Sequence, residues 1–194
     1  RNIWVGAHVA QIAGIPDLPF DPVGLDQETL LKPGKSGFPV LAPAAEDKMR
    51  EAIENARISQ DSVGGIVECA ALGFPGGVGS PMFDGIENRA ASILFGIPAV
   101  KGVEFGAGFQ AAYLKGSQNN DPFTVVNDKI LSKTNHAGGI LGGISTGMPV
   151  LARVAFKPTP SISQPQETVD FMEKKEKELI IKGRHDPCVV VRAV

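Results

Sequence analysis

Chemistry in this chain concentrates in a few short runs. Gly183-Arg184-His185-Asp186-Pro187-Cys188 sets a guanidinium, an imidazole and a carboxylate within three residues. Each of these groups can bind an anion or relay a proton, although a surface loop with an Arg-Asp pair would read the same way. Lys157-Pro158-Thr159-Pro160-Ser161 combines a cation, two rigid prolines and two hydroxyls, a set that can grip phosphate or a polar ring edge. A surface proline turn is the alternative. The run NHAGGILGGISTG at 135–147 offers close backbone approach to a flat or anionic ligand, with His136 and Ser145 as polar tips, or else is a glycine-dense packing loop. Gly73, Gly76, Gly77 and Gly79 lack a Gly-Lys-Ser/Thr ending and are read as a tight turn. Gly106-Ala107-Gly108 lacks the third glycine of a dinucleotide fingerprint and is set aside.

The elements that must hold these runs follow from periodicity. Residues 3–13 alternate, with Ile3, Val5, Ala7 and Val9 on one face of an expected strand. Prolines at 16, 19, 22, 33, 39 and 43 then exclude a continuous helix, leaving a loop with one short helix at Asp26–Leu31. Met49, Ala52, Ile53 and Ala56 recur at helical spacing within 44–60, before a strand at 62–69. Phe83, Ile86, Ala90, Ile93, Leu94 and Ile97 mark a second helix, before a strand at 99–106. Val63-Gly64-Gly65-Ile66-Val67-Glu68 and Val100-Lys101-Gly102-Val103-Glu104 share a pattern, so two helix-then-strand units are expected side by side as a weak duplication. Val150–Phe156 reads as a further strand, and 167–182 as a hairpin in preference to a helix. The terminal VVVRAV reads as a strand cut short, as in a fragment.

The totals exclude several classes of function. With 194 residues, 43% apolar and 21% charged, the chain fits one globular domain. Nineteen basic residues against 21 acidic, without charge blocks, leave no footprint for nucleic acid or an anionic membrane. No apolar run suits a membrane span and no signal core opens the chain, so a cytoplasmic location is expected. Cys69 and Cys188 lack metal-type spacing and are read as reduced thiols packed in strands, with no metal site.

Five runs together resemble the chorismate synthases: DSVGGIVE at 61–68, PAVKGVEFGAGF at 98–109, NHAGGILGGISTGMP at 135–149, FKPTPSIS at 156–163 and KGRHDPCVV at 182–190. The resemblance covers residues 1–194 as one domain, the C-terminal portion of a longer parent whose N-terminal half and final helix are missing. It implies an α/β (α+β) fold, a β-α-β sandwich with amphipathic helices packed on an antiparallel or mixed sheet. It also implies a lyase of the shikimate pathway that needs reduced FMN for the anti-1,4-elimination of phosphate from 5-enolpyruvylshikimate 3-phosphate. The implied assembly is a homotetramer, and bifunctional members use NADP(H) to reduce the flavin.

By the same resemblance the flavin contacts fall on Pro98, Ala99, Gly142, Lys157, Pro158, Thr159, Pro160, Ser161 and Arg184, and Arg184 also faces the substrate. Asp186 takes the position of the catalytic carboxylate near the flavin N5. Pro98 stands where some members have asparagine, and Val191 where the family usually has proline. The family's paired histidines and its Gly-Arg-Ser-Ser-Ala-Arg run belong to the missing half, and His8, His136 and His185 are not substitutes for them. The competing readings are a structural or assembly module with weak or no flavin binding and, last, a flavin reductase.

Overall fold

The computed structural model describes residues 2–183 and 185–194. In chain order the elements are β1 (Trp4–Ile12), β2 (Ile15–Pro16), α1 (Gln27–Leu31), α2 (Pro43–Ile58), β3 (Gly65–Leu72), α3 (Ile86–Leu94), β4 (Val100–Phe105) and α4 (Gly116–Asn119). They continue with β5 (Phe123–Val126), β6 (Lys129–Ser132), β7 (Ile140–Leu141), β8 (Ile144–Ser145), β9 (Val150–Phe156), β10 (Gln166–Asp170) and β11 (Lys175–Leu179). A five-stranded sheet in the order β2-β1-β3-β9-β4, antiparallel at each pairing, is the scaffold.

The two units expected side by side are instead separated by β9. Since β9 pairs antiparallel with both β3 and β4, those two strands run in the same direction on either side of it. Their shared pattern then falls in register: Val67 and Val103 both oppose Val154, and Glu68 and Glu104 both oppose Arg153.

In β1 the simple alternation fails. Ile3 and Val5 are exposed, and a bulge between Val9 and Gln11 adds a residue that turns both Val9 and Ile12 into the core, while His8 is wholly buried on the other face. Helix α2 starts on Pro43, which supplies no N–H where none is needed, and it buries Ala45, Met49 and Ala56. Of these, Ala45 and Met49 pack with Val9, Ile12, Val67, Val100, Val154 and Phe156 in the main core. Burying Met49 contributes about 1.5–3 kcal/mol. Helix α3 buries none of its residues: Phe83 precedes it on an exposed turn, Ile93 is 74% exposed, and Leu94 is the one that packs against the core.

The hairpin expected at 167–182 is present as β10 and β11. Asp170 accepts the Met172 and Glu173 N–H groups at 3.0 and 3.1 Å and so builds the turn that stops a helix from running through. The C-terminal strand is not formed. Val190–Ala193 is a 3₁₀ turn, because the chain bends after Pro187 and Val190 drops fully into the core, where burial outweighs its strand propensity. Cys188 is accordingly buried but outside any strand, whereas Cys69 lies in β3; both thiols are free.

Candidate functional site

The C-terminal end of β9 is a junction of loops. The link between α2 and β3, residues 59–64, is the hub. On one side Ser62 Oγ donates to Thr159 O at 2.7 Å, Ser163 N–H donates to Gln60 O at 3.2 Å and Gln164 Nε2 donates to Ser59 O at 2.8 Å. On the other side Val63 N–H donates to Pro187 O at 2.8 Å and His185 Nε2 meets Asp61 O at 3.2 Å. One loop therefore ties together the two runs richest in chemistry, although they are separated by more than twenty residues of chain that include the β10–β11 hairpin.

A third strand joins from the neighbouring edge. Val100 N–H closes a turn onto Ile97 O at 3.3 Å, with Pro98 at the second position and Ala99 at the third. Ala99 has φ +71°, the left-handed conformation that glycine usually supplies there. Holding a non-glycine residue so costs about 1–2 kcal/mol. Ala99 O in turn accepts the Lys157 N–H at 2.9 Å, which fixes the point where Lys157 leaves the sheet.

Within this junction Thr159 Oγ1 is buried and has no hydrogen-bond partner among the described residues. A buried orphan hydroxyl costs about 1–3 kcal/mol and is the kind of defect that a ligand repairs. Lys157, Pro158, Pro160 and Ser161 are exposed beside it, and Lys157 forms no ion pair among the described residues. The set suits a flat polar molecule carrying an anion, as FMN does: a hydroxyl for a ring edge, a cation and a second hydroxyl for phosphate, and prolines that keep the run stiff.

Asp186 is held at both oxygens. Oδ1 accepts the Cys188 N–H at 3.2 Å and Oδ2 pairs with Arg192 Nε at 3.1 Å. His185, Asp186, Gly183, Gln60 and Ser163 line an open depression of about 840 Å³ together with Arg57, Pro187 and Arg192. Arg184 lies outside the described residues. Gly142 is placed apart from the rest of the expected set. It occupies the β7–β8 turn with φ +58°, beyond the other end of β9, and that seven-residue strand alone spans about 20 Å at roughly 3.3 Å per residue.

In the glycine-rich run, Ser145 is spent on structure. Its Oγ donates to Pro75 O at 2.6 Å and accepts the Val78 N–H at 3.0 Å, which locks the Gly73–Gly79 turn, as expected for a tight turn. His136 Nδ1 lies 3.1 Å from Asn119 O and 3.4 Å from Asp121 Oδ1. Burial opposes the charge on Asp121, but the Thr134 hydroxyl, the Ala137 and His136 N–H groups and the His136 ring together hold it below the usual carboxylate range. Burial, with the Glu68 charge, pushes the Cys69 thiol up to about 11, and burial raises Cys188, so both shifts disfavour the thiolate.

Sequence reading did not find a second polar cluster, on the opposite face of the sheet. His8 is buried with Nδ1 3.1 Å from Asp17 Oδ2 and Nε2 3.0 Å from Glu68 Oε2. Asp17 also accepts the Leu41 and Ala42 N–H groups, and Glu68 accepts the Phe20 N–H. Beside them Arg153 Nε pairs with Glu104 Oε1 at 2.7 Å. The one signal available was the glutamate ending both halves of the duplication. Among the described residues no group of three or more histidines, cysteines or carboxylates could hold a metal ion, and no helix is long and apolar enough to cross a membrane.

Comparison with known proteins gives a consistent result. The family model described as chorismate synthase matches residues 1–194. The chain is 58% identical over 158 residues to a chorismate synthase of Korarchaeum cryptofilum, covering 80% of this chain and 44% of that protein. It is 47% identical over 195 residues to one of Methanococcoides burtonii, covering 100% of this chain and 52% of that protein. A solved structure described as a crystal structure of chorismate synthase superposes with a TM-score of 0.75 at 31% identity, over 82% of this chain and 50% of that one. The chain thus spans about half the length of the relatives it matches.

Proposed function

The chain belongs to the chorismate synthase family, and from that premise we propose that its strand-end junction forms part of the reduced-FMN site of a lyase. That lyase converts 5-enolpyruvylshikimate 3-phosphate to chorismate. The observation that carries this reading is the buried Thr159 Oγ1, which lacks a partner among the described residues, two residues after the fixed strand end at Lys157 and in a run tied through Ser62 to the loop that also holds Pro187.

Reduced FMN, when bound, supplies electron density that the substrate needs only transiently as its phosphate departs, so no net oxidation results. The protein's part is placement and charge. Lys157 provides the cation for an anionic edge, Thr159 and Ser161 provide hydroxyls, and the prolines at 158 and 160 limit the motion of the run. The Pro98–Ala99 turn offers backbone to the same ligand, and Gly142, in the β7–β8 turn, is proposed as a further backbone contact. Asp186 manages a proton at Oδ1 or Oδ2 as the flavin ring gains and loses charge. Arg184 is proposed to face the anionic substrate.

The chain spans about half the length of the relatives it matches, and the family's paired histidines are proposed to lie in the remaining length, so that turnover is proposed for the longer protein. Exposed apolar side chains on and near α3, with Phe83, Met82 and Ile93 foremost, support burial against further protein in a larger assembly. Flavin titration of the full-length parent tests the reading: Lys157→Ala is expected to weaken FMN binding by about 1–3 kcal/mol. Unchanged flavin affinity would remove Lys157 from the site.

A further inference from the structure

Asp186 has a charged neighbour of its own in Arg192, six residues further along the chain. A free carboxylate rotates broadly about its last torsion, so fixing its plane takes a partner on each oxygen. Here the Cys188 N–H donates to Oδ1 at 3.2 Å, and the Arg192 guanidinium stands against Oδ2 as an ion pair, with Nε at 3.1 Å. Arg192 is not delivered by a mobile tail. It rides on the Val190–Ala193 turn, whose own N–H from Arg192 reaches Val189 O at 3.1 Å, and the neighbouring Val190 is fully buried. The preceding residue of the corner is anchored as well, since Pro187 O accepts the Val63 N–H at 2.8 Å. The carboxylate and the guanidinium therefore belong to one rigid corner, nailed to the core on both sides.

The Arg192 side chain is itself 80% exposed and lines the depression that also contains His185, Gln60 and Ser163. A surface ion pair of this exposure contributes a small though measurable amount to stability, and the part of it that bears on chemistry is what it does to Asp186. We propose that Arg192 is a positioning residue: it fixes the plane of the Asp186 carboxylate and balances its charge, and it acts on the reaction only through Asp186. This rests on the reading of Asp186 as the proton-handling carboxylate of the flavin site.

A double-mutant cycle in the full-length parent tests it, with Asp186→Asn, Arg192→Gln, Arg192→Lys and the Asp186→Asn/Arg192→Gln double variant. Arg192→Gln is expected to lower kcat about fivefold, the size of a coupling at a partly exposed pair, with substrate KM and FMN affinity unchanged. Arg192→Lys should recover part of the loss, and the double variant should be no slower than Asp186→Asn alone. In the flavin-free protein the melting temperatures of the same set should be non-additive. Additive kcat losses, or a rise in KM or flavin Kd without a fall in kcat, would overturn the positioning role. An Asp186→Asn variant with full turnover but coupled melting would overturn the proton role of Asp186 itself, and is distinguishable from a failure of the pairing alone, where Asp186→Asn is slow and the melting shows no coupling.

Discussion

The two polar regions of this molecule are built to opposite rules. On one face of the sheet, His8 meets a carboxylate oxygen at each ring nitrogen and those carboxylates take further N–H groups from the proline-rich segment. At the end of β9, a buried hydroxyl has no partner among the described residues, an alanine sits in a left-handed turn and a lysine leaves the sheet unpaired among them. The first region is complete and holds the Asp17–Ala42 segment against the sheet. The second carries strain and unmet hydrogen-bonding capacity, which natural proteins tolerate where a ligand completes the set.

Breaking each region should have a different signature. The largest effect is expected from Glu68→Ala, which leaves His8 facing a vacated buried position and frees the Phe20 N–H. Each buried group left without its partner costs about 1–3 kcal/mol, so the loss of both is read as a clearly lower denaturant midpoint of the full-length parent at unchanged flavin affinity per folded molecule. A smaller cost than about 1 kcal/mol would show that the cluster is not structural. Next, Asp186→Ala should lower turnover about 100-fold or more with little change in flavin binding, and equal losses in both would assign it a binding role alone.

The acid limb gives a third, smaller contrast. Asp121 is held below its ordinary range in the fold, so it contributes stability that is fully present above about pH 4 and is lost as pH falls through its lower folded value. Asp121→Asn should lower the melting temperature at neutral pH by the equivalent of about 1–2 kcal/mol and flatten its fall below about pH 4. An unchanged acid limb would contradict that assignment.

How much of this was legible in the sequence follows the range of the interactions involved. Strand β9 matches the reading of Val150–Phe156 residue for residue, because its alternation is local and bounded by Pro149 and Lys157-Pro158. Helix α2 and the β10–β11 hairpin were legible for the same reason. The place of β9 between the duplicated strands was not, since nothing in a strand's own pattern names its neighbours. Nor were the partners of His8, which stand 9 and 60 residues away and meet it only once the sheet has formed. The terminal VVVRAV misled because β-branched residues favour strands until one of them, Val190, finds a place in the core. In the site, residue types announced Lys157, Thr159 and Asp186, but the hub at 59–64 that joins them carries no chemical signature of its own.

Thr159→Val in the full-length parent tests most directly whether Thr159 Oγ1 is left unsatisfied by the protein so that a flavin can satisfy it, since it removes the hydroxyl and keeps the shape. Flavin affinity should fall about three- to tenfold, the size of one hydrogen bond, while the melting temperature of the flavin-free protein holds steady or rises because a buried unpaired group has gone. Unchanged flavin affinity, with a flavin-free protein that melts lower, would contradict the account and make the hydroxyl a structural one.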